Sequence, residues 1–237
     1  MLPISSQVIT ASMVKICQTL AKQGFAEDYY LSGGTALALQ IEHRQSNDLD
    51  FFTAKNVDAE GLVAWLSHHY SVKDFEVVFR KDEQVDLKIL GIKTSFIYYP
   101  FAIINSLIDG VNVNSMFSGL KISPVREIAL MKAYVLGRRT SFRDYIDMYY
   151  LLKKPYTSIG EIIKECSKKY IIEGEKVFSE KLFLQQLAYT EDITDKQEAL
   201  SLLSEESLTS EAIEDYLRNQ VSVYMRTLGI NDQEKGE

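Results

Sequence analysis

Leu31-Ser32-Gly33-Gly34-Thr35-Ala36-Leu37, followed after ten further residues by Asp48-Leu49-Asp50-Phe51-Phe52, is the stretch whose reading decides the fold. Asp28 to Ser32 is short, aromatic and closed by glycines, so it reads as a strand. Thr35 to Glu42 has helical spacing, with Leu37 and Ile41 on one face. The glycine pair therefore falls where a strand turns into a helix. Glycine lets the backbone approach a ligand closely, and the first turn of a helix offers N–H groups and a positive dipole end to an anion. Asp48 and Asp50 lie two apart on the next predicted strand, which puts both carboxylates on one face and Leu49 and Phe51 on the other. Two carboxylates on one face suit magnesium, which binds through one or two carboxylates plus substrate phosphates. The competing reading is a tight turn followed by aspartates on a plain exposed strand face.

Working outward, a first helix is predicted over Ile9–Gln23, with Met13, Ile16, Leu20 and Ala21 near helical spacing. After the Asp-x-Asp strand, Ala59–His69 reads as a helix, and Phe75–Phe79, Val85–Ile89 and Ile92–Tyr99 as strands, the last stopped by Pro100. Three to five strands with flanking helices make a small α/β core. Beyond Pro124 the segments 124–137, 142–153, 158–170, 177–188, 196–204 and 209–228 all read as helices. Lys93 shares a strand face with Ser95 and can reach a phosphate, or stand as a solvated charge on an edge strand. Lys132 interrupts the apolar run Ile128 to Leu136, where a lysine either snorkels or meets a buried anion. Asp144 and Asp147, three apart on the next helix, are surface neighbours; Asp144 suits the first turn, and Asp147 can pair with Arg143.

The pair of motifs resembles the nucleotidyltransferase superfamily, whose first motif joins a Gly-Gly or Gly-Ser turn to an Asp-x-Asp or Asp-x-Glu strand. The wording from Gly33 to Leu39, then His43-Arg44-Gln45-Ser46 and Asp48 to Phe52, is similar to the AbiEii/AbiGii toxin-type nucleotidyltransferases. A second similar stretch runs from Ser123-Pro124-Val125-Arg126-Glu127 to Lys132-Ala133, and on through Gly137-Arg138-Arg139 to Arg143-Asp144-Tyr145-Ile146-Asp147. The resemblance covers about residues 25 to 153. It implies an α/β (α+β) nucleotidyltransferase-like core with a mixed sheet over residues 1–120. An all-helical domain over 121–237 is expected to follow and to contribute to the active-site cleft.

The implied chemistry is metal-dependent transfer of a nucleoside monophosphate from an NTP to an acceptor. Asp48 and Asp50 are the expected ligands of Mg2+ or Mn2+. Gly33, Gly34 and Thr35 are expected at the β- and γ-phosphates, Lys93 and Lys132 at the nucleotide, and Asp144 as base on the acceptor hydroxyl. An RNA acceptor, tRNA above all, and a toxin role in a toxin–antitoxin or phage-defence pair with a cognate antitoxin protein are likewise implied. The superfamily commonly places a third acid on a later strand, and Ser95 stands where that acid is expected. Asp86 is a substitute within the same sheet. Two further readings follow: transfer to a protein or a small molecule such as an aminoglycoside, and a non-catalytic module that holds nucleotide or a partner.

At 237 residues, 46% hydrophobic and 25% charged, the composition is that of an ordinary globular chain with room for one sizeable core or two modest ones. No apolar run reaches the ~18 residues of a membrane span, and the N-terminus lacks a basic segment leading into an apolar one. A cytoplasmic protein is expected. Cys17 and Cys166 lack any Cys-x-x-Cys or histidine spacing, which disfavours zinc and leaves two reduced core thiols. There is no P-loop motif and no Ser-His-Asp pattern. Charge is uneven: residues 1–120 carry a net −4, 121–154 a net +5 and 155–237 a net −8. That excludes a general nucleic-acid coat but allows a local phosphate-binding surface around Arg138, Arg139 and Arg143. The alternative is a solvated loop and helix start.

Overall fold

The computed structural model describes residues 8–22, 28–205 and 207–229; Gln23, the predicted end of the first helix, lies outside them. The chain forms two compact units, Met1–Ile128 and Ala129–Glu237. The elements in chain order are α1 (Ala11–Lys22), β1 (Tyr30–Ser32), α2 (Gly33–Ile41), β2 (Asp48–Thr53), α3 (Ala59–His69), β3 (Phe75–Lys81), β4 (Gln84–Ile89), β5 (Ile92–Tyr98), β6 (Ile108–Asp109) and β7 (Lys121–Ile122). They continue with α4 (Val125–Val135), α5 (Phe142–Lys153), α6 (Ile159–Lys169), β8 (Ile171–Ile172), β9 (Glu175–Lys176), α7 (Glu180–Ala188), α8 (Lys196–Leu200) and α9 (Ser210–Thr227). The boundary between the units falls inside α4.

The first unit is a seven-stranded mixed sheet in the order β3-β4-β5-β2-β1-β7-β6. β2 pairs parallel with β5 and antiparallel with β1, and β1 pairs parallel with β7. The sheet exceeds the predicted three to five strands because β6 and β7 are two residues each, too short to show any period. Along β2 burial alternates residue by residue. Leu49 and Phe51 join Leu31, Val85, Leu87, Ile89 and Phe96 in the core, where Phe51 and Phe96 stack 5.3 Å apart. The opposite face carries Asp48, Asp50 and Phe52. On α1, Met13, Ile16, Cys17 and Leu20 are buried, the i, i+3, i+4, i+7 stripe of an amphipathic helix.

Among the described residues the second unit is helical, as predicted, apart from one short exposed hairpin, β8–β9. Its turn is Glu173-Gly174, both with positive φ, directly after α6. The start of α6 is fixed by a capping box between Ser158 and Glu161. Tyr145 and Tyr149 on α5 are buried. The Tyr145 hydroxyl donates to the carbonyls of Gln186 and Tyr189, so this stripe serves packing.

Candidate active site

Cross-strand register lines up the polar face of the sheet in rows. One row runs Lys88, Lys93, Asp48; the next runs Asp86, Ser95, Asp50, Ser32. Because directly paired residues point to the same side of a sheet, Lys93 stands beside Asp48 and Ser95 beside Asp50. Lys93 was one candidate for an edge-strand charge; β5 instead lies inside the sheet between β4 and β2, since strand order in space does not follow chain order. Asp86 is separated from Asp50 by the whole width of β5, with Ser95 between them, and its carboxylate accepts from Gln84 Nε2 at 2.8 Å.

The glycine pair was expected to precede the helix; Gly33 and Gly34 are instead its first two residues. Gly33 has φ +69°, and a Cβ there would fall 2.8 Å from Asp50 Oδ2. The turn and the second aspartate are thus in contact, although Gly33 and Asp50 lie seventeen positions apart in the sequence. Ser32 at the N-cap makes no side-chain cap to the helix, and the N–H groups of a first helical turn have no partner within the helix itself. Thr35 is buried, and its hydroxyl is shared between Ser46 Oγ at 2.7 Å and the carbonyl of Asp48. That side chain ties α2 to β2 rather than opening towards a ligand.

Two further residues lie against the site: Ser46, and Arg44, which by sequence can either contact phosphate or close a loop. Ser46 is the other end of the Thr35 tie, and its N–H donates to Val8 O at 2.9 Å. Arg44 is 2% exposed and lies against Gly34. The signal for both was present in His43-Arg44-Gln45-Ser46, but only the fold shows what they touch.

The donor set suits a hard divalent cation: two carboxylates from alternate positions of one strand, beside a helix start that can receive phosphate oxygens. Among the described residues no three or more His, Cys, Asp or Glu side chains converge. Such an ion would therefore complete its coordination with substrate phosphates and water, as magnesium usually does.

In the second unit Lys132, Asp144 and Asp147 form a buried ionic cluster, which the exposed Arg139 caps from its solvent side. Lys132 Nζ lies 2.6 Å from Asp144 Oδ1 and 2.5 Å from Asp147 Oδ2. Arg139 donates to both Asp144 oxygens through Nε and Nη2, each at 2.7 Å. The structure pairs Asp147 with Lys132, because α4 brings the ammonium between the two carboxylates of α5. Burial alone would lift the Asp144 carboxyl, but Lys132 and then Arg139 outweigh it and hold the group below the usual carboxylate range. Arg138 lies over the Tyr134 ring at 3.8 Å, and its Nη2 donates to Val177 O.

Comparison with known proteins bears on the family and the fold. The sequence profile of the family described as "Nucleotidyl transferase AbiEii toxin, Type IV TA system" matches residues 16–231. An uncharacterized protein of Aquifex aeolicus is 28% identical over 213 residues, covering 85% of this chain and 90% of that one. Among solved structures, MenT4, the nucleotidyltransferase toxin Rv2826c of Mycobacterium tuberculosis, matches with a TM-score of 0.54 and 14% identity over 94% of this chain and 89% of its own. JHP933 of Helicobacter pylori matches with a TM-score of 0.53 and 17% identity over 92% and 90%. At those identities the two structures speak for the fold.

Proposed function

The chain belongs to the AbiEii nucleotidyl transferase toxin family, and from that premise we propose that it is a metal-dependent enzyme transferring a nucleoside monophosphate from an NTP to RNA, with tRNA as the leading acceptor. The observation that carries this reading is the contact between Gly33 and Asp50, with Asp48 and Asp50 on one face of β2. A phosphate-receiving turn and a carboxylate pair at one place are what transfer at an α-phosphate requires. Mg2+ or Mn2+ held by Asp48 and Asp50, when bound, supplies neutralisation of the charge that develops on the attacking and leaving oxygens. Gly33 and Gly34 receive the β- and γ-phosphates through the backbone at the α2 N-terminus. Thr35 and Ser46 hold that turn at a fixed distance from β2. Lys93, beside Asp48, adds a cation within reach of the same phosphates.

The family resemblance gives Lys132 to the nucleotide and Asp144 to proton abstraction. The geometry favours a positioning role for Asp144, since a carboxylate held by two cations is a weak proton acceptor. The biological setting we propose is that of a toxin restrained by a cognate antitoxin protein, which the family description supports. Among the described residues no helix is long and apolar enough to cross a membrane.

One observation favours a second reading. Ser95 stands directly opposite Asp50, where a third carboxylate would complete the site, and a serine hydroxyl is a poor substitute. A module that binds nucleotide without turnover fits that residue. Incubation with α-labelled NTP, magnesium and, in separate reactions, total tRNA, an aminoglycoside and a protein mixture separates the possibilities. Label in tRNA is the expected result; label only in another acceptor overturns the RNA assignment, and nucleotide binding without label anywhere favours the module.

A further inference from the structure

Gly33 and Gly34 are glycines for different reasons. Gly33 has a positive φ and abuts Asp50, whereas Gly34 has none, and a Cβ there would fall 2.2 Å from Arg44 Nη2 and 3.3 Å from its Cζ. The space beside Gly34 is filled by protein, and the group that fills it is a guanidinium. Arginines are rarely so fully buried as Arg44, at 2% exposure. Its Nη1 donates to Gln45 O at 2.8 Å. The flanking chain is fixed by the Ser46–Val8 and Ser46–Thr35 hydrogen bonds.

A guanidinium keeps its charge at any ordinary pH. Set against the first turn of α2, it adds a full positive charge to the partial one of the helix end. Its burial keeps it from touching a ligand directly.

We propose that Arg44 is a positioning residue for the triphosphate: its guanidinium packs on Gly34, fixes the first turn of α2 and supplies a constant positive charge behind the N–H groups that receive phosphate. This rests on the reading of that turn as the phosphate site. It assigns Gly34 to accommodating Arg44, where the sequence suggested only close approach of a ligand.

The test is calorimetric titration of magnesium tripolyphosphate into the purified full chain, as wild type, Arg44→Gln and Arg44→Lys, with thermal midpoints recorded alongside. Glutamine removes the charge, and lysine keeps it while losing the planar fork. The expected result is binding by the wild type, an affinity about tenfold lower for Arg44→Gln, and one within about threefold of wild type for Arg44→Lys. Unchanged affinity in a folded Arg44→Gln variant would overturn the proposal. So would equal weakening in both variants in step with lost thermal stability, since that is the signature of packing alone. Should Arg44→Gln fail to fold, a folded Arg44→Lys decides by itself: near wild-type affinity supports the charge, and a tenfold loss overturns it. A wild type that does not bind tripolyphosphate refutes the phosphate turn itself, an outcome separate from any effect of Arg44.

Discussion

At residue scale, Asp144 is the side chain whose environment makes the sharpest demands. It is almost fully buried and bonded to Lys132 and Arg139, so removing its charge leaves a buried ammonium short of a partner. Breaking a buried pair from one side costs about 3–5 kcal/mol. Asp144→Asn is therefore expected to lower unfolding free energy in urea at pH 7 by about 3 kcal/mol. The carboxyl is held below its ordinary value of 3.8 in the folded chain. Its contribution is complete above that value and is lost as pH falls through the lower folded one. The acid limb of stability against pH should accordingly flatten in Asp144→Asn, and an unchanged limb would contradict the assignment. Ser95 makes the converse demand. Ser95→Asp sets a second carboxylate directly opposite Asp50, where like charges repel. The thermal midpoint should drop in EDTA and rise with added Mn2+ by more than the wild type's does; no metal-linked difference would argue against an ion at Asp50.

At the scale of elements, α2 is the piece on which the site depends. Nearly all its side chains are buried, so the Thr35 hydroxyl has no water to fall back on when its partners are lost. Thr35→Val keeps the shape and removes the tie to Ser46 and Asp48, with an expected loss of about 1–3 kcal/mol in denaturant unfolding; a loss under about 0.5 kcal/mol would mean the tie is dispensable. Elements of this kind were legible where local chemistry defines them. Ala59–His69 and Phe142–Lys153 match their predicted limits, and β2 shows its alternation in four consecutive letters. β6, β7, β8 and β9 were illegible because two residues have no period. The same limit applies to the site. Asp48, Asp50 and the glycine pair announce themselves by spacing, whereas Arg44 against Gly34 and Lys132 between Asp144 and Asp147 are products of tertiary packing that no single segment encodes.

For the molecule as a whole, the two units carry different chemistry: the carboxylate pair and phosphate turn in the first, the buried ionic cluster in the second. Both cysteines are buried and free, and burial pushes the Cys17 thiol up to about 12. Thiolate is the reactive form, so neither cysteine should react with a thiol-specific disulfide reagent at pH 8 in the native chain. Both should react after denaturation, and fast native labelling of Cys17 would show that its helix opens readily. The central claim concerns Asp48 and Asp50, and one measurement addresses it most directly. Purified chain, and an Asp48→Ala, Asp50→Ala double variant of equal thermal stability, are incubated with α-labelled nucleoside triphosphates, magnesium and total tRNA. Label in tRNA with the native chain and none with the variant is the predicted result; equal labelling by both, or none by the native chain with nucleotide binding intact, would contradict it.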